Sequence, residues 1–237
     1  MSVLSLIKDL CRLNALTTPT VILGSTDTTV QQLYGVLREL IGEISSEANF
    51  NVNTVEAVFT STATEDQGAL ATLAPFGFKA ILLETVFDRT QRRALYGPLT
   101  ESEWQAIKAL PNPGPYYKFR IKGDRFLLNP IPVAPFSVIA FEYASNWLVT
   151  SATGTLQSDI LTDADLFLLP EPILLRGAMA RWKQLKGLPY QADEEKYYSL
   201  LNAYIARDKV KARINLAQPN PNTIQPGIFV PSGNWFN

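Results

Sequence analysis

The feature that most constrains this chain is a double switch in hydrophobic period. Apolar residues recur every three to four positions near both ends of the sequence and every second position through its middle. At the N-terminus, Ser2 is placed to cap a helix whose stripe is Val3, Ile7, Leu10, Cys11 and Leu13. A turn-rich link from Thr17 to Gly24, containing Pro19, leads to a second helix starting near Asp27. Its face carries Val30, Leu33, Leu37, Leu40, Ile41 and Ile44. Two amphipathic helices joined so closely are expected to pack as an antiparallel pair.

From Asn49 the period shortens to two. Val55, Ala57 and Phe59 alternate with Glu56 and Val58, the pattern of a half-buried strand. Lys79 to Asp88, with Ile81, Leu83, Val86 and Phe87, reads as another strand. Thr100 and Glu103 form a capping-box pair ahead of Trp104, Ile107 and Leu110, so a short helix is expected there, stopped by Pro111, Pro113, Gly114 and Pro115. The clearest hairpin follows: Tyr117, Phe119 and Ile121 alternate with Lys118, Arg120 and Lys122, and Gly123-Asp124 turns the chain into Arg125 to Leu128. Ser137 to Tyr143 supplies a further strand. Helical spacing returns after Pro170, with Leu175, Ala178, Met179, Trp182 and Leu185 on one stripe closed by Gly187. It resumes near Asp193 with Tyr197, Leu201, Tyr204 and Ile205.

The expected fold is therefore α+β. About four helices, from residues 1–48 and 169–213, form a bundle interrupted by a β-rich insertion with one short helix, residues 49–168. The remaining stretch, 214–237, has no charged residue and four prolines, yet carries Ile214, Leu216, Ile224, Ile228, Phe229, Val230, Trp235 and Phe236. Disordered tails stay in solution through charge and avoid aromatics. This segment reads as an extended arm that lies on a surface, either its own body or, the reading favoured by its prolines, a neighbouring subunit, anchored by Ile224, Ile228, Phe229, Val230, Trp235 and Phe236.

Composition narrows the chemistry. Histidine is absent, which excludes imidazole-based triads and histidine-ligated zinc. The single cysteine, Cys11, lies on a helical stripe and reads as a core thiol, so no intrachain disulfide exists. Lys8 and Asp9 interrupt any secretory apolar run, and no uncharged stretch approaches a membrane span, so the expectation is a soluble chain that engages no membrane. With 21 basic and 22 acidic residues the net charge is −1, which gives no basis for tight DNA binding.

The remaining catalytic candidates are carboxylates: Glu65-Asp66 in a loop, Glu101 and Glu103 at a helix start, Asp163 and Asp165 flanking Ala164. The helix-start acids are explained by the macrodipole, and the Asp163 region lacks the glycine and glutamate of an EF-hand loop. No phosphate-binding glycine loop is present. The expectation is no enzyme, no cofactor and no metal. The short cluster Arg89, Arg92, Arg93 suits intersubunit contacts, because arginine is enriched at interfaces.

An ordered set of short motifs adds a resemblance. Glu65-Asp66-Gln67-Gly68, Arg89-Thr90-Gln91-Arg92-Arg93, Tyr96-Gly97-Pro98-Leu99, Glu103-Trp104-Gln105, Gly114-Pro115-Tyr116-Tyr117 and Phe119-Arg120-Ile121 are followed by Phe141-Glu142-Tyr143, Asn146-Trp147, Arg181-Trp182-Lys183 and Lys186-Gly187. In this order, over about residues 1–215, they resemble the head-to-tail adaptor (connector) proteins of short-tailed, podovirus-type bacteriophages. The resemblance implies a helical adaptor body with an inserted β domain, assembled in the host cytoplasm as a dodecameric ring at the head–tail junction of the virion. The implied partners are the portal protein, tail proteins of the nozzle, tube or fibre, and sister copies, with genomic DNA passing through without tight binding. An alternative reading is a receptor- or glycan-binding tail protein using Trp104, Tyr116 and Tyr117 on the β insertion.

Overall fold

The structure, a computed structural model, describes residues 1–109, 114 and 116–208. Leu110, Pro111, Pro113, Pro115 and the whole arm, Ile214 to Asn237, lie outside the described residues. The fold is α+β, with helices at both ends of the described chain and antiparallel strands between them.

Helix α1, Val3–Leu13, starts where Ser2 accepts a hydrogen bond from the Ser5 amide. Helix α2, Thr28–Glu47, starts where the Asp27 carboxylate accepts from the Thr29 amide, as the spacing predicts. The strands and small helices follow in chain order. They are β1, Thr54–Thr60; β2, Asp66–Ala69; α3, Leu70–Leu73; β3, Phe78–Ile81; β4, Phe87–Asp88; β5, Arg93–Ala94; and α4, Glu101–Lys108. Next come β6, Lys118–Lys122; β7, Arg125–Asn129; β8, Val138–Ser145; β9, Val149–Thr150; β10, Leu156–Gln157; and β11, Leu166–Phe167. Helices α5, Glu171–Leu185, and α6, Gln191–Asp208, close the described chain.

Two hydrophobic cores result. The helical core joins α1, α2, α5 and α6 through Leu6, Leu10, Leu33, Leu37, Leu40, Leu174, Met179, Trp182, Tyr197 and Leu201. Leu148, Val149, Ile160, Phe167 and Leu169 belong to it as well, so the segment carrying the small β10-β9-β11 sheet packs on the helices although its residues read as part of the insertion. The second core lies between the five-stranded sheet built on β8 and the β2-β7-β6 sheet. Phe126 sits at its centre, 5.2 Å from Phe119 and 5.7 Å from Phe141, both stacked, and 5.4 Å edge-on from Phe59. Aromatic pairs of this kind add about 0.5–1.5 kcal/mol beyond their buried area.

Several local expectations hold and some change. The β6–β7 hairpin forms in the expected register, with Gly123 and Asp124 both at positive φ, 55° and 57°, in the two-residue turn. Gly187, at φ 67°, closes α5: its amide donates to the Gln184 carbonyl and that of Leu188 to the Lys183 carbonyl. The single strand expected over 79–88 is two strands. Both β3 and β4 pair with β8, but the Leu82–Thr85 turn lifts Leu83 into solvent between them.

The stripes overreach at their ends. Leu13 and Leu185 are 56% and 69% exposed. Leu13 is the last residue of α1, past its last buried residues Leu10 and Cys11, and Trp182 is the last buried residue of α5. Nor do α1 and α2 form a simple pair, since both pack chiefly against α5. Gly177 permits this: a Cβ there would lie 2.8 Å from a Leu40 methyl and 2.9 Å from the Tyr197 ring.

Candidate interaction surface

A cleft of about 500 Å³ lies over the solvent face of the five-stranded sheet. Strand alternation puts its side chains there. On β1, Ala57 is buried while Glu56 and Val58 face out; on β8, Phe141 and Tyr143 are buried while Glu142 faces out. Glu56 and Glu142 are directly opposed across the two strands. The Glu142 amide donates to the Thr85 hydroxyl rather than to β1, and the Glu142 carbonyl accepts from the Leu82 amide on that same side. The opposed glutamates therefore form the closer, non-hydrogen-bonded type of pair, in which like charges repel. Arg89 offsets that repulsion through an ion pair with Glu56.

Glu84, Asp88 and Arg92 complete the cleft. Asp88 is 2% exposed: one carboxylate oxygen accepts from the amides of Thr90 and Gln91, each at 2.9 Å. The other oxygen is buried and finds no donor among the described residues. Four acids thus share the cleft with two arginines. The sequence places Arg89, Arg92 and Arg93 together, and the structure separates them. Arg89 and Arg92 line the cleft, whereas Arg93 stands over the Tyr116 ring, 5.0 Å from its centroid.

The acids nominated for catalysis hold backbone amides or pair with basic side chains. Asp163 accepts from the amides of Ile22 and Leu23 at 2.9 and 3.0 Å, which fixes the α1–α2 link. Asp165 is 1% exposed and accepts from the Leu161 and Thr162 amides and the Thr162 hydroxyl, at 2.7, 2.8 and 2.6 Å. Burial opposes its ionisation, but these hydrogen bonds outweigh it and hold its pKa below the usual carboxylate value. Glu103 closes the capping box on Thr100, which likewise lowers its pKa. Glu101 pairs with Arg120 at 2.7 Å, Glu65 with Lys108 at 2.8 Å, and Asp66 with Arg125. No group of acids or cysteine positioned to hold a metal ion occurs among the described residues. No described helix is long and apolar enough to cross a membrane.

No protein-family model matches this chain, and neither does any curated protein.

Of the aromatics considered for glycan stacking, Trp104 is buried at 2% exposure, Tyr117 is half-buried, and only Tyr116 is exposed. The arm residues Ile224, Ile228, Phe229, Val230, Trp235 and Phe236 lie outside the described residues. Sequence reasoning missed the opposed Glu56 and Glu142. Each sits at the polar position of an alternating strand, but only the register brings them face to face.

Proposed function

We propose that this protein is a structural adaptor that assembles as a dodecameric ring beneath the portal of a short-tailed bacteriophage, joins it to tail components, and continues the DNA channel. What supports this reading best is the insertion architecture. One helical core is built from both ends of the described chain, and a separately cored β lobe stands between them, the arrangement that the motif resemblance implies. In this reading the helical body forms the ring and the β lobe carries the intersubunit cleft. A donor from a sister copy would satisfy the orphan oxygen of Asp88, whose burial unpaired costs about 1–3 kcal/mol. The arm reaches a neighbour, most favourably the portal, through its anchors Ile224, Ile228, Phe229, Val230, Trp235 and Phe236, where a buried aromatic such as Trp235 contributes about 2 kcal/mol or more.

The test is electron microscopy of the purified chain mixed with a portal ring of a short-tailed phage. Twelve-fold class averages are expected with portal, and a monomer by light scattering without it. Failure to associate with portal overturns the adaptor reading. A chain ending at Ala217 should keep its thermal stability and lose portal binding; full binding by that chain would remove the arm from the interface.

A further inference from the structure

Among the described residues, strand β1 is paired on one side only. Its seven residues run opposite β8 from Thr54↔Ala144 to Thr60↔Val138, and β8 meets β3 and β4 on its other side. Which groups of β1 point outward follows from the hydrogen bonds of β8. Val138 and Glu142 direct their main-chain groups away from β1, to Thr90 and Arg89 and to Thr85 and Leu82. At the end of the β1–β8 ladder, the Ser61 amide donates to the Ser137 carbonyl. Antiparallel alternation then assigns Val55, Ala57 and Phe59 to the β8 side, and Thr54, Glu56, Val58 and Thr60 to the open side.

The Thr54 amide closes a turn onto Asn51. The amides of Glu56, Val58 and Thr60 and the carbonyls of Thr54, Glu56 and Val58 have no partner among the described residues. An open edge of this length is a template for another strand. Its inner face is also incomplete: Ala57 is buried, but Val55 and Phe59 on either side of it remain half-buried.

The described chain ends beside this edge. Asp208, the last residue of α6, accepts from the Asn51 amide at 2.6 Å, and its carbonyl accepts from the Asn51 side chain at 2.7 Å. Asn51 lies three residues before β1. The next eight residues alternate in sequence: Lys209, Lys211 and Arg213 with Val210, Ala212, Ile214 and, after Asn215, Leu216. At about 3.3 Å per residue they span about 26 Å, against about 23 Å for β1. The charge also matches. The outer face of β1 and β8 presents Glu56 and Glu142, with Glu84 beyond them, and the three basic residues share one parity.

We propose that residues 209–216 add to the open edge of β1 of the same chain as a further strand, parallel to it. Lys209, Lys211 and Arg213 face outward beside Glu56; Val210, Ala212 and Ile214 face inward and cover Val55 and Phe59. The rest of the chain, from Ala217, is then delivered to the Thr60 end of the β lobe, away from α6. This reading stands independently of the adaptor proposal.

Residue-resolved amide exchange on the full chain tests it, with the two parities of β1 as internal controls. The amides of Val55, Ala57 and Phe59 report pairing with β8 and should stay protected throughout. Those of Glu56, Val58 and Thr60 should exchange about 100-fold or more slowly than in an unstructured chain, together with amides in 209–216. Combining Lys211→Glu with Arg213→Glu should release the three outward amides by about tenfold and leave the inward three unchanged. Val58→Pro, which removes one outward donor, should expose 209–216. Free exchange of the outward amides in the native chain overturns the proposal, as does protection indifferent to the charge reversal. Protection that grows with protein concentration also overturns it, since the strand would then come from a second copy.

Discussion

The ammonium group of Lys79 on β3 lies 2.7 Å from the carbonyl oxygen of Ala48, at the C-terminal end of α2, and also reaches the carbonyl of Ser45. A cation here meets the negative end of the helix and satisfies two carbonyls that the helix leaves unpaired. It also ties the β lobe to the helical body. Replacing Lys79 with Met, which keeps the aliphatic stem, should cost about 1–2 kcal/mol. Denaturant unfolding measures this; an unchanged midpoint would show that water replaces the ammonium without loss.

Gly177 should not accept a side chain. Alanine in mid-helix gains about 1 kcal/mol over glycine in intrinsic propensity, but the added methyl would press on Leu40 and Tyr197, both essentially buried. Overpacking of this kind costs about 1–3 kcal/mol. Gly177→Ala should therefore lower the melting temperature despite the better propensity, by about 2–4 °C for each kcal/mol lost in a chain of this size. A rise in melting temperature would mean that α5 can shift away at no cost.

Asp165 should make stability sensitive to acid. Its pKa is depressed in the folded state, so the unfolded chain takes up the proton first as pH falls. The stabilisation is complete above the ordinary carboxylate pKa of about 3.9 and is lost as pH drops through the lower folded value. Asp165→Asn should cost about 1–3 kcal/mol at neutral pH, and the difference from the native chain should shrink below about pH 4. Urea midpoints across pH 2–7 decide it, roughly the range over which such linkage acts; a gap that stays constant into acid would contradict the charged role.

Arg89 should matter through the pair that it separates. Arg89 and Glu56 are each about half exposed, so the ion pair by itself contributes little. Removing Arg89 leaves Glu56 facing Glu142 without its ion-pair partner. Arg89→Ala should destabilise by about 0.5–1 kcal/mol at low salt, and Glu142→Gln in that background should restore most of it. Equal effects of Glu142→Gln with and without Arg89 would show that the two glutamates do not couple.

The elements whose side chains signal to their own neighbours were legible in sequence. Ser2, Asp27 and Thr100 cap the helices they were assigned to, Gly123-Asp124 turns the hairpin, and Gly187 ends α5. Each depends on contacts within a few residues. What sequence could not supply depends on partners far along the chain. Residues 148–169 are strand-like in part, but their burial is decided by α1, α2 and α5. The interruption between β3 and β4 follows from how Glu142 meets Leu82 and Thr85, and the role of Asp163 from the amides of Ile22 and Leu23. The acidic cleft was hidden for the same reason: alternation assigns Glu56 and Glu142 to solvent faces, and only strand pairing makes them neighbours.

The discontinuity of the helical core has a consequence for how the chain is made. The β lobe, from β1 to β8, is one unbroken stretch, so every residue of its hydrophobic core is available once Ser145 has been translated. Helices α1 and α2 have no such autonomy. Their main packing partner, α5, begins at Glu171, long after Glu47 closes α2. At about 5–20 residues per second, that interval lasts on the order of ten seconds. During it the apolar stripes of both helices await most of their cover, and closing them over so long a loop is slow. Vectorial synthesis therefore favours a nascent chain in which the β lobe condenses first and the helical body last, with the unpaired α1–α2 segment as the stretch most in need of a chaperone.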